Sequence, residues 1–188
     1  MCASMVGVGA SANSSGDPAA GAAAPGHAGA EAAADEARLA EIATELADGV
    51  DAALGPWVER CVTRRCTEWQ GSCPPEVAAA ARAAGVEAAG AVGPEVRALL
   101  ATDPDDQRAN PLQLIRRATA WPTTVLREAG VPAVVRDDEA QRQFPDDDYD
   151  LTPANFADLD PALAEAGIAW GAAKAHVVLA RRRREGRR

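Results

Sequence analysis

The chain has one lysine, Lys174, among its 19 Lys and Arg residues, and only 4% of its residues are aromatic. A core built chiefly from Ala, Leu and Val buries little area per residue, so thin, closely packed helices of modest stability are expected. No apolar run approaches the ~20 residues of a membrane span. The N-terminal stretch has no basic residue before its apolar patch and no apolar run of signal-peptide length, so secretion is not expected. Cys2 lacks the preceding residues of a lipoprotein signal. A net charge of −9 argues against nucleic acid as the partner. There is no C-x2-C pair, and no period of roughly 20–50 residues repeats, which excludes a solenoid. The expectation is a cytoplasmic protein with no membrane partner and no implied cofactor.

With 188 residues, the chain suits one domain. Residues 1–34 are Ala, Gly, Ser and Pro with little to bury, and are expected to form a disordered tail in which His27 is solvated. From Asp35 onward, Leu39, Ile42, Leu46, Val50 and Leu54 recur at three- and four-residue steps, the stripe of an amphipathic helix. Asp35, Glu36 and Glu41 suit its early turns. Gly55-Pro56 is expected to interrupt it, with Trp57, Val58, Cys61 and Val62 resuming the stripe on a new helix.

Prolines then punctuate the chain. Pro75, Pro94, Pro104, Pro111, Pro122, Pro153 and Pro161 can each open a helix, where a missing N–H costs nothing, and Asp103, Asn110, Thr152 and Asp160 precede four of them as caps. Gly85, Gly130 and Gly167 each follow a helical run and precede an apolar residue, the pattern of a left-handed C-cap. Only residues 131–135 could be a strand, and one strand makes no sheet. The fold class expected is all-α: a compact bundle of six to eight mostly short helices over residues 35–180, followed by an Arg-rich tail, 181–188. Trp121 and Trp170 are the expected aromatic anchors of its core.

The strings NPL, RRA, PTTVLREAGVP, FPDDDY, DLDPAL and WGAAKA follow one another between Asn110 and Arg183. In that order they resemble a conserved block of uncharacterised actinobacterial proteins. The resemblance implies a bacterial cytoplasmic protein and carries no activity and no catalytic residue.

Candidate chemistry is sparse. Cys61, Cys66 and Cys73 form C-x4-C-x6-C, and thiolates suit zinc or an iron–sulfur cluster, with Cys2 or His27 as a further ligand. However, Cys61 and Cys66 would point about 140° apart on a helix, and small buried hydrophobes are the expectation. Asp146, Asp147, Asp148 and Asp150 resemble both a DDxxD magnesium string and an EF-hand start. The first lacks its second motif and its long helix. The second has Leu151 and Ala157 where Gly and Glu belong. A solvated acidic turn is expected instead. Residues 125–139 read like a helix-turn-helix, but Asp137, Asp138 and Glu139 would face phosphate.

Lys174 lies four residues after Trp170, at the edge of a helix face formed by Trp170, Ala173, Val177 and Ala180. It could hold an anion in a groove or stack on Trp170; the expectation is a stem covering apolar surface with its ammonium in water. His176 is expected to be a half-buried helix histidine. Arg181, Arg182, Arg183 and Arg184 open a tail with six Arg and one Glu, while residues 136–150 hold seven acids and two Arg. This separation of sign suits docking of the tail on an acidic surface, that of a second copy included. The sequence is thus best read as a non-catalytic helical interaction module with a protein partner. One alternative is a small-molecule or anion-binding enzyme using Lys174, His176 and the 146–150 carboxylates; another is a cysteine metal site.

Overall fold

The computed structural model describes residues 26–106 and 110–186, and their regular structure is entirely helical. Helix α1 (Gly26–Gln70) is the spine: 45 residues in one piece, about 67 Å at the ~1.5 Å rise of an α-helix. Its stripe is the predicted one. Leu39, Ile42, Leu46, Val50, Leu54, Trp57, Val58, Cys61 and Val62 are all buried, and Cys66 extends the series by another turn.

Two expected boundaries of α1 are wrong. The helix begins at Gly26 rather than Asp35, so residues 26–34 belong to it and His27 lies in its first turn. Ala has the highest helix propensity, and Ala-rich residues 28–34 extend the helix outward from its packed part. The tail expectation for residues 1–25 falls outside the described residues. Nor does Gly55-Pro56 break the helix. Pro56 forfeits only the bond to the Ala52 carbonyl, and packing on both sides keeps the apolar stripe in register.

Helix α2 (Pro75–Ala101) opens at Pro75 as expected and then runs through the predicted stop at Gly85 and the predicted start at Pro94. At Gly85 the backbone of α2 lies against that of α1: a Cβ there would lie 2.7 Å from the Gly55 carbonyl oxygen. Pro94 is tolerated because the carbonyl it leaves unpaired belongs to exposed Gly90, where water can serve.

Helix α3 (Pro111–Arg116), a 3-10 turn at Arg117–Thr119 and helix α4 (Ala120–Glu128) form a nearly continuous rod. Asn110 caps it, Oδ1 accepting from Leu112 N at 3.0 Å. The 3-10 turn precedes Pro122, whose ring excludes the carbonyl of Ala118 and so disfavours regular α geometry there. Pro122 therefore sits inside α4 rather than opening it. The predicted stop at Gly130 is real. Gly130 has φ +72°, Val131 N donates to Leu126 O at 3.0 Å and Gly130 N to Arg127 O at 3.1 Å, which is a Schellman motif.

Beyond it, no strand forms at 131–135 among the described residues; Val134 N makes a single bond to Asp148 O at 2.8 Å. Helix α5 (Asp138–Gln143) is short and buries none of its residues, which leaves the helix-turn-helix reading without a packed second helix. Neither Pro104 nor Pro153 opens a helix. Helix α6 (Leu163–Glu185) runs through the predicted stop at Gly167, which lies under the Phe156 ring. Three of the helices, α1, α2 and α6, are therefore long, at 45, 27 and 23 residues, where mostly short ones were expected.

In the assembled core, α1 packs on α2 and α6, and α4 bridges α1 and α2. Trp170 is buried as expected. Trp121 is only half-buried, and the other buried aromatics of the core are Trp57, Tyr149 and Phe156. The irregular segment 131–162 is tied down by arginines that reach its carbonyls. Arg65 Nε donates to Tyr149 O at 2.7 Å, Arg116 Nε to Pro153 O at 3.0 Å, an Arg136 NH2 to Phe144 O at 2.7 Å, and Arg60 to Leu159 O.

Candidate functional site

The acidic string does not converge on a point. Asp147 is buried, with both carboxylate oxygens turned onto its own chain: Leu151 N donates at 2.8 and 2.9 Å, Thr152 N at 2.8 Å. Burial would raise its pKa, but the Leu151 and Thr152 donors outweigh that and hold the carboxyl below its ordinary range. Asp148 pairs with Arg127 at 3.3 Å and Asp150 with Arg65 at 3.4 Å, while Asp146 is exposed. The expectation of a solvated turn therefore fails at Asp147, whose carboxylate closes the loop from inside.

Lys174 lies over the Trp170 ring, 5.1 Å from its centroid, the cation–π arrangement among the alternatives. His176 is exposed rather than half-buried, and its Nε2 lies 3.1 Å from Asp35 Oδ2 on α1. Asp150, by contrast, is held by Arg65 near the other end of α1. Thirty residues of helix separate Asp35 from Arg65, about 45 Å at ~1.5 Å per residue. The enzyme alternative needed His176 and the 146–150 carboxylates in one pocket, and the spine keeps them apart.

The Arg-rich end is not a separate tail, since residues 181–185 continue α6. Arg181 joins three elements, with Nε 3.1 Å from Glu36 and NH1 2.5 Å from Asp103 and 3.2 Å from Asp105. The Asp105 N–H and the Arg181 guanidinium together hold the Asp103 carboxyl below its usual range. The acidic surface that receives Arg181 is thus the chain's own and is not the 146–150 turn. Arg184 Nε donates to Ala180 O at 3.3 Å, and Arg182 and Arg183 are exposed.

Cys61 and Cys66 are buried and Cys73 half-buried, and none is in a disulfide. Burial pushes the Cys61 thiol up to about 11 against the pull of Arg64, Arg60 and Arg65. Burial and then neighbouring Cys73 push Cys66 up to about 11. Among the described residues, no three His, Cys, Asp or Glu side chains cluster as the ligand set of a metal would.

The surface of the described residues includes three sizeable grooves. The first, about 880 Å³, lies between α1 and the 150–158 segment. Arg60 and Arg64 face Glu59, Asp150 and Asp158 in it, so the signs largely cancel. A second, about 430 Å³, has a floor of Leu39, Ala43, Ala47 and Leu100 with Arg97 and Arg181 at its edge. The third, about 440 Å³, runs between α2 and α4 past Trp121. Lys174 and His176 line none of them.

Sequence reasoning passed over the outward face of α6. Leu163, Trp170 and Val177 bury one side of this helix. On the opposite side Ile168 is 75% exposed and Leu179 51%, with exposed Ala172 and Ala175 between them. The large exposed apolar side chains among the described residues are Trp69, Val86, Val135, Ile168 and Leu179, and only the last two share an element. The signal was present in the three- and four-residue spacing of 168, 172, 175 and 179, but it overlapped the stripe led by Trp170. Among the described residues no helix is long and apolar enough to cross a membrane. Compared with known proteins, the chain matches no family model, no curated protein and no solved structure.

Proposed function

We propose that the chain is a non-catalytic helical interaction module whose working surface is the outward face of α6. The observation that carries this reading is the pair Ile168 and Leu179, three turns apart on one face of one helix and both largely exposed. A helix that packs on one side only has no need of a second apolar stripe. The dispersal of the reactive side chains gives further support. Asp147 serves its own backbone, Asp150 and His176 pair at opposite ends of α1, and Cys61 and Cys66 are buried. The partner under this reading is a protein. The bacterial cytoplasm as its location, and kinship of residues 110–183 with the actinobacterial block, belong to the same proposal.

The test is in-cell photo-crosslinking with a photoreactive side chain in place of Ala172. Crosslinks from that position to any polypeptide chain, absent when Leu179→Asp is added, are the expected result. A position that crosslinks to nothing would overturn the reading.

A further inference from the structure

We propose that two copies of this chain pair through α6, antiparallel, about a twofold axis near residues 173–174. The inference rests on the interaction-module reading and names its partner. Glu165, Ile168, Ala172, Ala175, Leu179 and Arg182 follow one another at steps of three, four, three, four and three, and all six are exposed. That is the seam of a heptad repeat, which keeps facing one partner helix along its length. It lies opposite Leu163, Trp170 and Val177, which sit between α6 and the rest of the molecule.

The seam is complementary to its own reverse. Set antiparallel, Glu165 meets Arg182 of the second copy, Ile168 meets its Leu179, and Ala172 meets its Ala175; twofold symmetry makes every pair occur twice. A parallel register would instead set Glu165 against Glu165 and Arg182 against Arg182, two like-charge layers. The middle of the seam is built for close approach. Ala172 and Ala175 are small, and a Cβ on flanking Gly171 would meet nothing within 4 Å in the isolated chain. The helix axes can therefore come within the short end of the usual ~8–10 Å range. Each copy carries a net charge of −9 and repels the other at long range, so a contact depends on this local match. One helix pair buries less than the ~1,200 Å² of a standard interface, which puts the expected dissociation constant in the micromolar range.

The experiment is sedimentation velocity of the full chain from about 1 to 200 µM, a range that brackets a micromolar dissociation constant. It is run on the parent, on Glu165→Arg, on Arg182→Glu and on the double exchange. The three variants substitute only exposed positions, and thermal midpoints equal to the parent's verify that the fold is kept. The parent should dimerise. Each single exchange sets like charges face to face in both symmetry-related pairs and should weaken the dimer about tenfold or more, a step of roughly 1.4 kcal/mol. The double exchange restores opposite charges and should recover most of the loss. A parent that stays monomeric throughout, or a double exchange no better than either single, overturns the proposal. If a monomeric parent still crosslinks from position 172 to other proteins, the self-pairing fails and the interaction-module reading stands. If it crosslinks to nothing, both fail.

Discussion

Gly85 lies directly against Gly55: a Cβ placed on Gly85 would be 2.7 Å from the Gly55 carbonyl oxygen and 3.1 Å from its Cα. The contact is backbone to backbone, between the two longest helices, one residue before Pro56. It turns two apparent helix-breaking signals into a crossing point. The chain has few aromatics to fill wide gaps between helices, so α1 and α2 approach until their main chains meet.

Gly85→Ala should therefore destabilise the fold even though Ala is the better helix former. Helix propensity favours the change by up to ~1 kcal/mol. The Gly55 backbone cannot yield as a side-chain tip would, and overpacking of this kind costs about 1–3 kcal/mol. Gly90→Ala, on the same helix with nothing within 4 Å of its new Cβ, should instead stabilise by about 0.5–1 kcal/mol. Urea unfolding of both variants checks the pair. A Gly85→Ala midpoint at or above that of Gly90→Ala would mean the helices do not touch there.

Asp147→Ala removes the acceptor for Leu151 N and Thr152 N. Leu151 N is buried and would be left unpaired, at about 1–3 kcal/mol, while Thr152 N is partly exposed and can turn to water. The pH dependence follows from the lowered folded pKa. The Asp147 contribution is complete above the carboxyl pKa of the unfolded chain, about 3.9. It is lost progressively as pH falls from there through the lower folded value. Thermal midpoints measured from pH 6 down to pH 2 should fall more steeply for the parent than for Asp147→Ala. Parallel curves would show that Asp147 carries no such linkage.

Much of the fold could be read from apolar period alone, since a stripe at three- and four-residue steps specifies a buried helix face whatever it packs on. Leu39 through Val62 lie where that stripe put them. The breaks were harder to read. Gly85 and Gly167 look like C-caps in sequence, and what decides otherwise is a neighbour far along the chain: Gly55 for one, the Phe156 ring for the other. Gly130 differs because its positive φ closes a local Schellman motif, a property of adjacent residues only. The arginines show the same limit. Arg60 and Arg65 bind carbonyls of Leu159 and Tyr149, and nothing local marks them for that role. The outward seam of α6 was hidden for another reason: two apolar stripes on one short-period helix blur into a single Ala-rich pattern.

The cysteines offer the sharpest contrast between a reactive and a structural reading. A thiol reacts as its thiolate, and a pKa of about 11 leaves only about one thiolate per thousand at pH 8. Burial also blocks the reagent. In the folded chain at pH 8, iodoacetamide should leave Cys61 and Cys66 unmodified while half-buried Cys73 reacts, and all three should react in denaturant, as read by peptide mass spectrometry. The same shift bears on stability. A thiol pKa raised by folding stabilises the fold fully below the unfolded value, about 8.5, and that contribution is lost as pH rises toward the folded value of about 11. The chain should therefore lose stability between about pH 8.5 and 11, and Cys61→Ala should flatten that loss while lowering stability at neutral pH through the small cavity it leaves. Alkylation of Cys66 at the rate of Cys73 in the folded protein, or an alkaline limb unchanged in Cys61→Ala, would show that these thiols are open to solvent and restore them as candidates for metal or redox chemistry.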